Sequence, residues 1–241
     1  MSSGLKSLLA QTGVKVTILF TFFGVMLCTP ISAQKDAQLS KKSDAVDYAD
    51  VRRILDSVYV EDQKYRKQIE EIDGEYEWNS PEMSQLITKM INADRKNIVI
   101  VQDMLAKYGW LGANQVGDKA NAAQFLVIQH ADLTIQEKYL PMMKKAVSEG
   151  KARSQSLALL EDRILLGNGE PQIYGSQVGT DEETGELYVF PMIYPRQVNK
   201  RRAQVGLGTI EEYLSFWELE WDVESYIEQL PARKEKLKER Q

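Results

Sequence analysis

The stretch Lys119-Ala120-Asn121-Ala122-Ala123-Gln124-Phe125-Leu126-Val127-Ile128-Gln129-His130-Ala131-Asp132 decides the fold. Ala120, Ala122, Ala123, Phe125, Leu126, Val127 and Ile128 leave it no wide polar face. A helix that is apolar almost all round is a central, buried one. Residues 119–131 are therefore expected to form a core helix, capped by Asp118, with the other elements packed around it.

Working back from that helix, Trp110 to Gly117 has no period and reads as a loop. Before it, Ser80-Pro81 offers an N-cap followed by Pro at the first helical position. Met83, Leu86, Ile87, Met90 and Ile91 form an apolar stripe, and Ile98, Val101, Met104 and Leu105 extend it to Tyr108. Earlier still, Val51, Ile54, Leu55, Val58 and Tyr59 keep helical spacing, which Tyr65, Ile69 and Ile72 carry on toward Gly74. Working forward, Thr134-x-x-Glu137 predicts a capping box for a helix running to about Gly150, with Pro141 near its start. Another helix is expected over Gln155–Leu166.

The period then changes. Pro171 to Val178 and Glu186 to Met192 flank a turn ending at Gly185, which predicts one small antiparallel hairpin over about 171–192. Arg196 to Val205 reads as a helix whose basic residues Arg196, Lys200, Arg201 and Arg202 form a solvated face. Thr209-x-x-Glu212 caps a short helix through Trp217. The fold class is mainly α: a helical domain over 44–217 with one hairpin. Residues 218–241 read as a charged, solvated C-terminal tail, and 34–43 as a polar linker.

Residues 1–33 read as a signal peptide. Lys6 and Lys15 precede Val16–Leu27, twelve uncharged residues, and Ile31-Ser32-Ala33 offers a small residue before a cut. An uncleaved anchor over Val16–Ala33 would have 18 residues, short for a span of ~20. The expected location is periplasmic or secreted, with membrane association only if the segment is retained.

Composition excludes several chemistries. One His among 241 residues leaves no common catalytic zinc set, and one Cys leaves no internal disulfide. Cleavage removes that residue, Cys28, and with it thiol catalysis. A net charge of −5 gives no global footprint for nucleic acid. No metal site and no cofactor are expected.

Some polar residues fall where apolar ones belong. On a helical wheel Gln129 shares an arc with Ala122 and Phe125, and His130 falls between Ala123, Leu126 and Val127. His130 suits general acid/base work at neutral pH. It equally suits a satisfied core histidine, with Asp132 capping the next helix. Arg163 lies between Leu160 on one side and Leu159 and Leu166 on the other. A buried guanidinium needs a carboxylate, from Asp132, Asp162, Asp94 or Asp62, or else it holds an anionic ligand or snorkels. Gln172 and Tyr174 share a strand face, and a bulge at Gly175 would bring Gln177 to them. Two carboxamides and a phenol can read a polar ligand edge.

These segments, taken in order, carry a resemblance. Gly109-Trp110, Gln129-His130-Ala131-Asp132, Leu160-Glu161-Asp162-Arg163 and Pro171-Gln172-Ile173-Tyr174-Gly175-Ser176-Gln177 resemble the G-W, Q-H-A-D, L-x-D-R and P-Q-x-Y-G-T-Q motifs of a bacterial family of unknown function. Asp62-Gln63-x-x-Arg66 is similar to its N-terminal element, and Ser176 stands in place of Thr. The resemblance implies that the odd polar residues belong to one site or one polar core, and brings no activity.

The functional expectation is an exported binding or structural module with a polar cluster around His130. Gln129, Arg163, Gln172, Tyr174 and Gln177 are the candidate ligand-binding residues, and the partner is a small ligand or an envelope component. The alternative is a hydrolase with His130 as general base, oriented by Asp132 or Asp162. An enzyme requires these groups around an open cleft. A structural core requires them sealed and mutually bonded.

Overall fold

The computed structural model describes residues 48–72, 75–76, 80–181 and 184–239. The expected signal segment and linker lie outside the described residues. Among the described residues two long helices come first, α1 (Ala49–Ile72) and α2 (Pro81–Tyr108). Ser80 caps α2 by accepting a hydrogen bond from the Met83 amide at 3.2 Å, with Pro81 at the first helical position. The expected loop after Gly109 holds one helical turn, α3 (Ala113–Val116), tied by Gln115 Oε1, which accepts from the Gly112 amide at 3.0 Å.

The core helix is α4 (Asp118–His130), whose N-cap is Gly117 rather than Asp118. Next comes α5 (Leu133–Ser148), capped by Asp132, whose Oδ1 accepts from the Ile135 amide at 2.9 Å. The predicted Thr134/Glu137 box does not form, because Asp132 already supplies the cap. Glu137 accepts from Asn168 Nδ2 at 2.8 Å instead, and Pro141 sits inside α5. After α6 (Ser154–Gly167) comes the hairpin, shorter than its two arms suggest. β1 (Val178–Thr180) pairs antiparallel with β2 (Leu187–Val189), Gly179 opposite Tyr188. A 3-10 turn at Pro195–Gln197 leads into α7 (Val198–Gln204). The Thr209/Glu212 capping box opens α8 (Ile210–Ser215) as expected.

The charged C-terminal segment is not a solvated tail. It forms α9 (Val223–Glu239), with Tyr226 and Leu237 buried. The Tyr226 hydroxyl donates to the Phe190 carbonyl at 2.8 Å and accepts from the Met192 amide at 2.8 Å. Arg233 Nη1 donates to the Val189 carbonyl at 2.8 Å. These bonds tie the strand-to-turn segment to α9, which its bulk charge concealed.

The domain is thus mainly α with one two-stranded sheet. Helix α4 packs against α1, α2, α5 and α6. Its buried Phe125, Leu126, Val127 and Ile128 join Leu55, Val58, Leu105, Tyr139 and Leu160 in the main core. Burying one such aliphatic or aromatic side chain contributes roughly 1.5–3 kcal/mol. A second core, around Val178, Met192, Ile210 and Leu214, lies beneath the hairpin. A third, built on Ile69, Met83 and Met90, joins the far ends of α1 and α2. Among the described residues no helix is long and apolar enough to cross a membrane.

Candidate functional site

The buried stripe of α1 runs Val51, Leu55, Val58, Asp62 and Ile69. Asp62 thus occupies a position where helical spacing calls for an apolar side chain. Its Oδ1 lies 3.0 Å from His130 Nδ1 at the end of α4. Its Oδ2 accepts from Gln63 Nε2 at 2.8 Å. Arg66, one turn on, donates to the Asp62 carbonyl at 2.6 Å and forks onto Asp94 of α2 at 3.0 and 2.8 Å. A single polar chain therefore links α1, α2 and α4.

The charges set the protonation. Burial pushes the Asp62 carboxyl up, but His130, Arg66 and Gln63 outweigh it and hold it at about 2. Burial pushes the His130 imidazolium down from 6.5, Arg66 and Arg163 push the same way, and Asp62 pulls against them. We therefore assign a neutral ring at pH 7, with Nδ1–H donating to ionised Asp62. Nε2 is then the basic nitrogen, and among the described residues it makes no hydrogen bond.

Arg163 lies on α6, beside the end of α4. Its Nη1 donates to the Gln129 carbonyl at 3.3 Å. Its Nε and Nη2 are buried without a partner. Those two N–H groups form one edge of the guanidinium, pointing in parallel, and that edge fits two oxygens of a carboxylate or phosphate. None of the four carboxylates considered from sequence reaches it. Asp62 and Asp94 are taken by His130 and Arg66, Asp132 caps α5, and Asp162 binds backbone. Burial accordingly pulls the Arg163 guanidinium from 12.5 to about 10; Tyr213 opposes the fall and Arg66 adds to it. The negative end of the α4 dipole offsets part of the cost.

Gln129, whose carbonyl holds Arg163, is fully buried, and both carboxamide atoms lack a partner. Gln124, five residues earlier, shows how a structural glutamine behaves in the same helix. Its Oε1 accepts from the Leu111 amide and its Nε2 donates to the Leu111 carbonyl, both at 2.9 Å. Buried polar groups without a protein partner are rare, and each calls for an explanation such as a bound water, an ion or a catalytic role. Single unpartnered atoms occur elsewhere, as at Asn97 Nδ2 and Trp110 Nε1. Gln129 and Arg163 leave two each, and the two residues touch.

The remaining candidates belong to a second polar group, also built on α6. Asp162 is fully buried and accepts from the amides of Ile173 (2.6 Å), Tyr174 (3.0 Å) and Ser176 (3.0 Å). Burial pushes its carboxyl up, and these amides work against the rise. Gathering three amides onto one carboxylate bends residues 173–176 out of strand geometry, which is why the hairpin is short. Gly175 takes φ 67 there, and an added Cβ would meet Met192 Cε at 2.9 Å. Gln172 Nε2 donates to the carbonyls of Gln177 (3.1 Å) and Phe190 (2.9 Å), and its Oε1 accepts from the Gln177 amide (2.9 Å). Gln177 Nε2 donates to Ser176 Oγ at 3.0 Å. Tyr174 is half-buried, and burial together with Glu161 and Asp162 raises its phenol.

So Gln172 bonds the loop and the Phe190 carbonyl, Gln177 bonds Ser176, and Asp132 and Asp162 do not orient His130. The basic face expected over Arg196–Arg202 is solvated only in part: Arg196, in the 3-10 turn, and Lys200 are exposed, while Arg201 and Arg202 turn onto backbone. Arg201 donates to the carbonyls of Ile173 (2.7 Å) and Ile193 (2.7 Å). Arg202 is buried and donates to those of Tyr174 (2.9 Å) and Gly208 (2.6 Å). What the sequence reading missed is Asp62 as the partner of His130. The signal was there: a carboxylate on the apolar stripe of α1, one turn before Arg66.

Among the described residues no three His, Cys, Asp or Glu side chains gather to hold a metal ion. The arrangement offers a fixed imidazole with a free Nε2, an unpaired guanidinium edge and an unpaired carboxamide, around the last turn of one buried helix. No curated protein and no solved structure matches the chain. The family comparison does find a match, over residues 49–224: the chain belongs to DUF6624, a family of unknown function.

Proposed function

We propose that this chain is an exported binding module that holds a small oxyanion at Arg163, between α4 and α6. One observation carries the reading: a buried guanidinium edge, Nε and Nη2, faces no carboxylate. An uncompensated buried charge is strongly destabilising. A chain that keeps one in its core gains something from it, and an anion is the group that fits. The Gln129 carboxamide, a donor and an acceptor, is likewise buried without a partner.

The test is thermal melting of the protein in chloride and in formate at equal ionic strength. Formate at ten times its Kd adds about 1.4 kcal/mol of stability. That raises the wild-type melting temperature and leaves Arg163→Met unmoved. Equal melts in both salts count against the reading.

General-base chemistry is a second reading, favoured by the 3.0 Å contact between Asp62 and His130 Nδ1. A carboxylate that fixes the tautomer and leaves Nε2 basic is how such bases are oriented. The ring is only 9% exposed, which favours a bound ion over an open hydrolytic cleft.

A further inference from the structure

We infer that an anion held by Arg163 is taken up together with a proton on His130. The inference rests on the proposed anion site and concerns how that site is regulated.

His130 follows Gln129 directly, and the Gln129 carbonyl holds Arg163 Nη1 at 3.3 Å. The ring is pinned by Nδ1 to Asp62, so it cannot turn away when charge arrives. The charged groups around it are Asp62 and Arg66 from α1, Asp94 from α2 through Arg66, and Arg163 from α6. Asp132 faces its own helix, α5. Two carboxylates and two guanidinium groups cancel, so the buried group is neutral when the ring is neutral. An anion on Arg163 leaves one surplus negative charge in a poorly hydrated place. A proton from solvent onto Nε2 restores the balance, and no other bond is made or broken. The anion also neutralises the repulsion that Arg163 exerts on the imidazolium.

Linkage makes the effect reciprocal: if the anion favours the imidazolium, then acid favours the anion. His130 is the chain's one histidine, so its ring resonances can be followed alone. The experiment is an NMR titration of those resonances from about pH 8 to about pH 5, in saturating formate and in chloride. In wild type, formate is expected to raise the midpoint by roughly 0.5–1 pH unit. Formate affinity then rises roughly three- to tenfold over the same range. In Arg163→Met neither changes with formate.

The outcomes separate the two claims. Formate that stabilises wild type but leaves the His130 midpoint in place overturns the proton coupling and spares the anion site. Formate that does neither overturns both. An equal midpoint shift in Arg163→Met overturns the coupling through Arg163. His130→Gln supplies a control on the ring itself. It is expected to bind formate with an affinity that does not vary with pH, and a retained pH dependence overturns the assignment to His130.

Discussion

Replacing Arg163 with Met is expected to stabilise the protein. Arg163 and Met share an unbranched stem, so the packing of the stem is largely kept. The guanidinium is pulled from 12.5 to about 10, and at about 1.4 kcal/mol per pH unit that amounts to roughly 3 kcal/mol against the charged form. The bond to the Gln129 carbonyl is long, at 3.3 Å, and losing it costs about 1 kcal/mol. The net gain is roughly 2 kcal/mol, or about 4–8 °C in melting temperature for a domain of this size. The assay is calorimetry or circular dichroism in a buffer free of carboxylate and phosphate, where no anion compensates wild-type Arg163. Adding formate should narrow the gap, because only wild type gains from it. A melting temperature lowered by several degrees in Arg163→Met would refute the reasoning. It would mean that the single bond to α4 outweighs the buried charge, and that Arg163 is a structural clamp.

Other consequences follow from the same geometry. Asp162→Asn leaves amides of Ile173, Tyr174 or Ser176 facing an NH2 group; a loss of about 3 kcal/mol is expected in denaturant titration, at 1–3 kcal/mol per orphaned group. Asp62 is held at about 2 against an ordinary 3.8, so it contributes roughly 2 kcal/mol above pH 4 that is lost as pH falls toward 2. Asp62→Asn should flatten stability over that interval in acid titrations. The His130 ring is held below 6.5 by burial, so its contribution is complete above that pH and declines as pH falls beneath it. His130→Gln should remove that decline, and an unchanged pH profile speaks against the neutral buried ring. Gly175→Ala is expected to cost roughly 1–3 kcal/mol, since φ is 67 and Met192 Cε lies 2.9 Å from the new methyl. N-terminal sequencing of exported protein should begin at Gln34, and a retained Lys6 or Lys15 contradicts the signal-peptide reading.

Local periodicity made the helices legible. The stripes of α1 and α2 and the apolar girth of α4 are short-range patterns, and helical wheels picked out Gln129, His130 and Arg163 as misfits. Partner choice was not legible, because it depends on which elements meet. His130 and Asp62 are 68 residues apart, and nothing between them fixes that contact. Asp132, two residues from His130, drew attention by proximity and serves only as a cap. Gln172 and Gln177 looked like ligand readers because an isolated strand exposes one face. In the folded loop the Asp162 carboxylate curls the chain, and both carboxamides turn onto backbone. The α9 segment was misread for a similar reason. Its charges dominate its composition, while buried Tyr226 and Leu237, with Arg233 on the Val189 carbonyl, dock it.

The central claim is that the Nε/Nη2 edge of Arg163 receives an anion. A crystal structure of the domain grown in saturating formate tests it most directly. The account predicts a planar two-oxygen density bridging Nε and Nη2 of Arg163. A protein carboxylate folded onto that edge, or an edge without anion density in saturating formate, would contradict it.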